Sequence, residues 1–302
     1  MCSRSPDRTS SPAPTSRRGI ARIIAVAGVL LLGVALASVA TGVHRLTGPE
    51  RPSDRDTAPT AARVLRVCAD PNNLPFSNDR QEGFENRIAS LLAREMGATL
   101  EYHWWAQRRG YVRNTIGSGT CDVLVGVPTG MDRVITTKSY YRSSYAIVTR
   151  ARDGLRIESL DDPSLRRLRV GVQLVGDDYV NTPPAHALAR RGIVDNVRGY
   201  SVQGDYARPN PPARVIDAVA SGEIDVAVAW GPLAGYFAER ESLPLSVVPL
   251  RAATDSGLPM AFDVSVGVRP GAVALRDTLD AILERRRSEI DRILDEYEVP
   301  RP

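Results

Sequence analysis

The same phrase occurs twice in this chain, and it sets the architecture. Gly119-Thr120-Cys121-Asp122 runs into Val123-Leu124-Val125-Gly126, and Gly222-Glu223-Ile224-Asp225 runs into Val226-Ala227-Val228-Ala229. Strands this uniformly apolar belong to parallel sheets covered on both faces. Each phrase closes a block of the same kind. In the first, Leu65–Ala69 reads as a strand ended by the turn cluster Asp70-Pro71-Asn72-Asn73. Phe84, Ile88, Leu91, Leu92 and Met96 then recur at helical spacing until Gly97. Thr99–Trp104 is a second strand, and Arg109–Ser118 a helix with Val112 and Ile116 inward. In the second block, Leu168–Val172 is a strand. Thr182-Pro183-Pro184 has the cap and first-turn prolines of a helix start, and Ala213–Ala220 is a further helix.

Two strands lie where they can tie the blocks together. Ser144–Thr149 can leave the first block and Asp263–Arg269 can return to it. A last helix is expected over Ala274–Tyr297, with Leu275, Leu279, Ile282, Ile290, Ile293 and Leu294 on its apolar side. The expected fold class is α/β: two α/β lobes joined by a two-strand hinge, with a cleft at the carboxyl ends of the strands. Lobe one is expected to hold 64–150 and 260–302, and lobe two 151–259.

Ahead of this domain, Ile23–Val43 carries no charged side chain and is long enough to cross a bilayer. Ser38-Val39-Ala40 offers small residues of the kind a signal peptidase reads, and Ser16-Arg17-Arg18 resembles a twin-arginine signal. Residues 1–43 are therefore either a cleaved signal peptide or an N-terminal anchor. The basic flank stays in the cytoplasm either way, so 64–302 faces outward, in the periplasm or on the outer face of the membrane. Residues 44–63 mix Pro, Thr, Asp and Arg without hydrophobic period and read as a flexible linker.

The chain has 302 residues and a formal net charge of +4. Residues 1–60 hold eight Arg and four acidic residues, which leaves 31 basic and 31 acidic residues beyond. The folded part is neutral, so the charge gives no argument for nucleic acid. The three His residues are His44, His103 and His186, with no ligand spacing between them, and no metal or other cofactor is expected. Phosphate loops and nucleophile elbows are absent. Cys68 and Cys121 fall in the first block. An exported domain permits a disulfide between them, but the usual strand order puts them at opposite ends of neighbouring strands, beyond the ~7 Å Cα separation a disulfide spans, so two buried thiols are favoured and the bond stays the alternative.

The phrases DPNNLPFSN, EGFENRIASLLAREMGA, CDVLVGVPTGMDRV and SYYRSSYAIV together resemble solute-binding protein family 3, the extracytoplasmic amino-acid receptors of type 2 periplasmic binding protein fold. CADPNNLPFSN, QRRGYVRNT, YYRSSY, NTPPA, NVRGY and NPPARVIDAVASGEIDVAVAWGPLAGYFA resemble one branch of it. That branch comprises the substrate-binding-like proteins encoded beside bacterial quinoprotein methanol dehydrogenases. The resemblance covers roughly residues 64–300. It implies a non-enzymatic binding protein whose partner is an exported PQQ-dependent alcohol dehydrogenase. The alternative is the binding component of an ABC importer, with a small organic solute and an ABC permease as partners. A third reading, a dehydratase on the same fold, needs a buried cleft carboxylate as acid or base, and Asp70 and Asp177 are the candidates for it.

The resemblance also distributes expected site roles. Amino-acid receptors clamp the α-carboxylate with an Arg shortly after a strand, and Arg133 sits at that step. However, Gly126 and Pro128 stand where helper hydroxyls belong, and Gly130 stands for the Thr. They clamp the ammonium with an Asp at the end of a later strand, and here that position is Trp230. Trp offers a π face and one N–H donor but no charge. A zwitterion would leave its ammonium unpaired in a dry cleft, so tight binding of free amino acids is not expected. Asp70, Asn72 and Phe76 follow the first strand, Gln107-Arg108-Arg109 precedes a helix, and Asp177 precedes Thr182. One of Trp104 and Trp105 faces away from the core. The expected cleft residues are Asp70, Asn72, Phe76, Trp105, Arg108, Arg133, Asp177, Thr182 and Trp230.

Overall fold

The computed structural model describes residues 63–175, 180–201 and 209–301, all within one compact unit that runs from Thr57 to Pro302. The segment 1–43, the linker up to residue 62, and Asp177 lie outside the described residues. Among the described residues no helix is long and apolar enough to cross a membrane.

Lobe one is built from β1 (Arg63–Ala69), α1 (Phe84–Glu95), β2 (Ala98–Trp104) and β3 (Val123–Pro128). β1 lies parallel to both β2 and β3. Arg63, assigned to the linker on composition, already pairs with Ala98. On α1, Phe84, Ile88, Leu91 and Leu92 are fully buried against this sheet. Each such side chain contributes about 1.5–3 kcal/mol relative to exposure.

β4 (Tyr141–Arg150) crosses to lobe two. That lobe holds β5 (Val170–Val175), α2 (Pro183–Arg190), β6 (Val197–Ser201), α3 (Arg214–Ser221), β7 (Val226–Trp230), α4 (Gly231–Ala238) and β8 (Leu245–Pro249). The chain returns through β9 (Ala261–Val268) and ends in α5 (Val273–Arg285) and α6 (Arg287–Glu296). The strand order is β6-β5-β7-β4-β9-β3-β1-β2, with β8 also on β4. The hinge is visible in the pairing of β4. Tyr141–Ser144 pairs antiparallel with β9, whereas Tyr145–Thr149 pairs antiparallel with β7. β9 in turn pairs antiparallel with β3.

The repeated Asp has the same task in both lobes. Asp122 accepts the Arg66 backbone N–H (3.1 Å), and Asp225 accepts that of Arg169 (2.9 Å). Their own N–H groups donate back to the carbonyls of Arg66 (2.8 Å) and Arg169 (2.9 Å). Each Asp thus fixes the start of its strand against the first strand of its lobe.

Four expectations need correction. The helix over Arg109–Ser118 is a single turn, Tyr111–Asn114, followed by a 3-10 turn, Ile116–Ser118. Thr115 between them leaves helical geometry (φ −113°, ψ −101°), and its hydroxyl donates to the Tyr111 carbonyl (2.6 Å). The terminal helix is two helices, broken at Arg286 (φ −103°, ψ 16°), whose guanidinium donates to Glu95 (2.6 Å). The break lets Leu279 and Ile282 as well as Ile290 and Leu294 reach one core beside α1. Trp230-Gly231-Pro232 does not merely end a strand. It starts α4, all eight residues of which are buried. Finally, Cys68 and Cys121 are disulfide-bonded, with Cα atoms 5.6 Å apart. Val67 pairs with Val123, so β3 begins where β1 is almost finished, and Cys121 lies beside Cys68 rather than at the far end.

Candidate functional site

A cavity of about 340 Å³ opens between the lobes, on the carboxyl-end side of their strands. From lobe one come Asn73 and Phe76 after β1, Glu85 at the start of α1, Gln107 after β2, and Gly126 and Pro128 on β3. The hinge strands supply Tyr141, Tyr145, Phe262 and Val264, and lobe two adds Gln173, Thr182, Trp230 and Leu233.

The Trp230 indole sits edge-to-face with Tyr145 (centroids 5.4 Å) and with Phe262 (5.7 Å), which fixes its orientation. Its backbone N–H donates to the Gln173 side-chain carbonyl (2.7 Å). Thr182 was expected to cap α2 with its side chain. The hydroxyl instead donates to the Gln173 main-chain carbonyl (2.9 Å), and no side-chain cap bond forms. Phe76 stacks edge-on against Phe84 (5.4 Å), joining the cavity wall to the lobe-one core.

Asp70 is buried and does not line the cavity. Its carboxylate accepts the N–H groups of Asn72 (2.8 Å) and Gln107 (2.6 Å), so it ties two cavity-forming loops together. Asn73 then donates to the Gln107 side chain (2.9 Å). Asn72 reaches lobe two, where its side-chain oxygen accepts the Asn210 N–H (3.3 Å). Trp105 is 40% exposed and stacks on His103 (6.1 Å), away from the cavity wall, while Trp104 stacks on Tyr102 (4.4 Å) and packs against the core. Arg108 and Arg133 are exposed and lie outside the wall, and Arg133 adopts φ +70°. Of the nine expected cleft residues, the cavity gathers Phe76, Thr182 and Trp230, and Asp177 lies outside the described residues.

Sequence reasoning passed over Glu85. A Glu in the first turn of a helix reads as a partner for the helix dipole. Here the residue is half-buried and lines the cavity. Burial raises its carboxyl well above the ordinary Glu range, and the Tyr102, Tyr140 and Tyr141 phenols around it are raised as well, Tyr102 to about 12. Of the two expected acid candidates, Asp70 stands off the cavity wall, and Asp177 lies outside the described residues. Asp70 is spent on loop N–H groups, and Glu85 is the carboxyl on the wall. No group of His, Cys, Asp and Glu among the described residues has metal-holding geometry.

No family model matches the sequence. A curated relative, Protein MoxJ of Methylorubrum extorquens, is 32% identical over 282 residues, 88% of this chain and 93% of the relative. Protein MoxJ of Paracoccus denitrificans is 33% identical over 252 residues, 78% of this chain and 88% of the relative. Among solved structures, periplasmic binding protein XoxJ from Methylobacterium extorquens AM1 is 36% identical. It covers 79% of this chain and 99% of its own, with a TM-score of 0.65. MxaJ from Methlophaga aminisulfidivorans MPT is 28% identical, covers 79% of this chain and 100% of its own, and gives a TM-score of 0.69. The chain belongs to the MoxJ family, on a type 2 periplasmic binding protein fold.

Proposed function

We propose that this chain is an exported binding protein that serves a PQQ-dependent alcohol dehydrogenase of the methanol type, docking it or holding its apo form during cofactor loading. The observation that carries the reading is membership of the MoxJ family over nearly the whole chain. It is joined by the branch-specific phrases QRRGYVRNT, NPPAR and WGPLAGYFA, which resemble proteins encoded beside such dehydrogenases. Export follows from the charge-free run Ile23–Val43 ahead of the domain. The protein works by contact rather than by chemistry of its own.

The importer-receptor alternative is supported by the cavity, which is large enough for a small organic solute. A hand-off to an ABC permease would need that solute.

Co-purification separates the two. The tagged protein, drawn from its native periplasm at low salt, is expected to bring the dehydrogenase with it. Exposed Arg108, Arg109 and Arg133 are offered as contacts, so recovery should fall with added salt, because such charges are screened over about 10 Å at ~0.1 M. Recovery of permease subunits and no dehydrogenase would replace this reading with the importer one.

A further inference from the structure

We propose that the cleft cavity binds a small organic ammonium ion that carries no carboxylate, its cationic head on Glu85 and its carbon body against Trp230, Phe262, Tyr145 and Phe76. The inference does not rest on a dehydrogenase partner.

The charge of the wall is the first observation. Among the described residues no Arg, Lys or His lines the cavity, and apart from phenols Glu85 is the one ionisable side chain on its wall. A carboxylate or phosphate ligand would meet an acid and no cation. Ring faces, by contrast, attract cations, most strongly when water is excluded.

Space reserved for the carboxyl is the second. Gly126 has φ +80°, and a Cβ there would stand 1.7 Å from a Glu85 carboxyl oxygen. Val125 pairs with Val266 and Val127 with Ser265, so Gly126 is the extra residue of a bulge in β3. The bulge and the missing side chain together leave the pocket in which the carboxyl lies.

The third is the carboxyl's lack of a protein partner. Among the described residues, neither oxygen of Glu85 makes a hydrogen bond or an ion pair. Arg87, two residues on, is turned away toward Glu296 and the Tyr297 ring (5.9 Å). Among the described residues the titratable groups acting on Glu85 are phenols, Tyr102 from β2, Tyr140 just before β4 and Tyr141 at its start. β3 contributes glycine at this point and β9 contributes Val264. Among the described residues nothing cationic competes for the carboxylate.

The binding step balances simply. Below its raised pKa the empty site holds Glu85 as the neutral acid. A bound ammonium stabilises the carboxylate, so one proton leaves to solvent for each cation taken up. Affinity therefore rises with pH until Glu85 is ionised in the empty cavity. A neutral polar ligand would hydrogen-bond the acid and release no proton.

The test is titration calorimetry on the exported protein, purified and dialysed free of solutes. The probes are butylammonium, cyclohexylammonium, phenethylammonium and tetramethylammonium chlorides. The first three are set against butanol, cyclohexanol and phenylethanol, and phenethylammonium also against phenylalanine. At least one ammonium ion is expected to bind about tenfold or more tightly than its uncharged counterpart. Phenylalanine should bind more weakly than phenethylammonium. Affinity should rise from about pH 5 to about pH 8, with proton release at the lower pH seen as a dependence on buffer ionisation heat. Glu85→Gln, which mimics the neutral acid, should lose about tenfold in ammonium affinity while keeping its thermal midpoint at low pH. Should that variant misfold, the pH slope and proton count of the unaltered protein still decide. No binding of any of the four ions at millimolar concentration overturns the proposal, as does equal affinity for ion and alcohol, or binding without pH dependence.

Discussion

Glu85 shows how a single side chain can be invisible in sequence and central in space. Nothing in Gly83-Phe84-Glu85-Asn86 distinguishes an inward Glu from a solvated one. The information lies 41 positions on, in the missing side chain of Gly126. Its raised pKa has a consequence for stability. The unfolded chain ionises Glu85 near the ordinary value of about 4.3, whereas the folded protein keeps the proton to higher pH. Folding stability therefore falls as pH rises above that value, until the folded pKa is passed. Glu85→Gln removes the effect, so the variant should melt above the unaltered protein at about pH 8 and level with it near pH 4. Melting curves at the two pH values check this, and a variant less stable at the higher pH would contradict it. Gly126→Ala should cost about 1–2 kcal/mol through its positive φ and push the Glu85 carboxyl aside, read as a lower midpoint in denaturant titration.

At the scale of elements, the sequence carried the strands and α1 well, because their apolar periods answer to burial alone. β1, β2, β3, β5 and β7 and the helices α1 to α3 lie within a few residues of where those periods place them. Breaks were another matter. Thr115 and Arg286 interrupt helices through contacts their neighbours do not announce, a main-chain carbonyl in one case and Glu95 in the other. α4 escaped because its eight residues are buried on every side and show no helical period, although Pro232 in its first turn was a start signal. The repeated Asp was legible as a motif, and its role is now physical. Asp225 accepts from the Arg169 main chain and guanidinium and from Arg150, and these bonds hold its carboxyl far below the usual Asp range. A depressed folded pKa stabilises above the unfolded value near 3.9 and loses that effect as pH falls toward the folded one. Asp225→Asn should therefore melt lower at neutral pH, and the gap should close with acidification below about pH 4. A gap that persists undiminished at about pH 2 would contradict the assignment.

For the whole molecule, two cross-links bear on the cleft. The Cys68–Cys121 disulfide closes a loop of 53 residues across lobe one, which loop entropy values at about 4 kcal/mol. An outward-facing domain can keep such a bond. Its register was the missing fact in the sequence, since a shift of β3 along β1 decides whether two cysteines meet. Reduction, or Cys68→Ser with Cys121→Ser, should lower unfolding stability by about 2–4 kcal/mol, read by denaturant titration with and without reductant. The second link is the chain's end. Tyr297 stacks on Tyr236 of α4 (5.6 Å) and contacts Phe84 of α1 (5.8 Å), and Gly235 has no Cβ because the Glu298 carbonyl would stand 2.0 Å from it. The end of the chain thus touches both lobes beside the hinge.

A part-open, largely aromatic cleft, with Glu85 as the acid on its described wall, sits on a MoxJ-family scaffold, and function turns on what that scaffold serves. The most direct measurement is dehydrogenase activity in the periplasm of a strain lacking this gene, with the gene restored as control. The account predicts that PQQ-dependent alcohol oxidation falls in the deletion strain while the dehydrogenase polypeptide is still made, and that restoration recovers it. Activity unchanged by the deletion, with the enzyme fully loaded with its cofactor, would contradict the account.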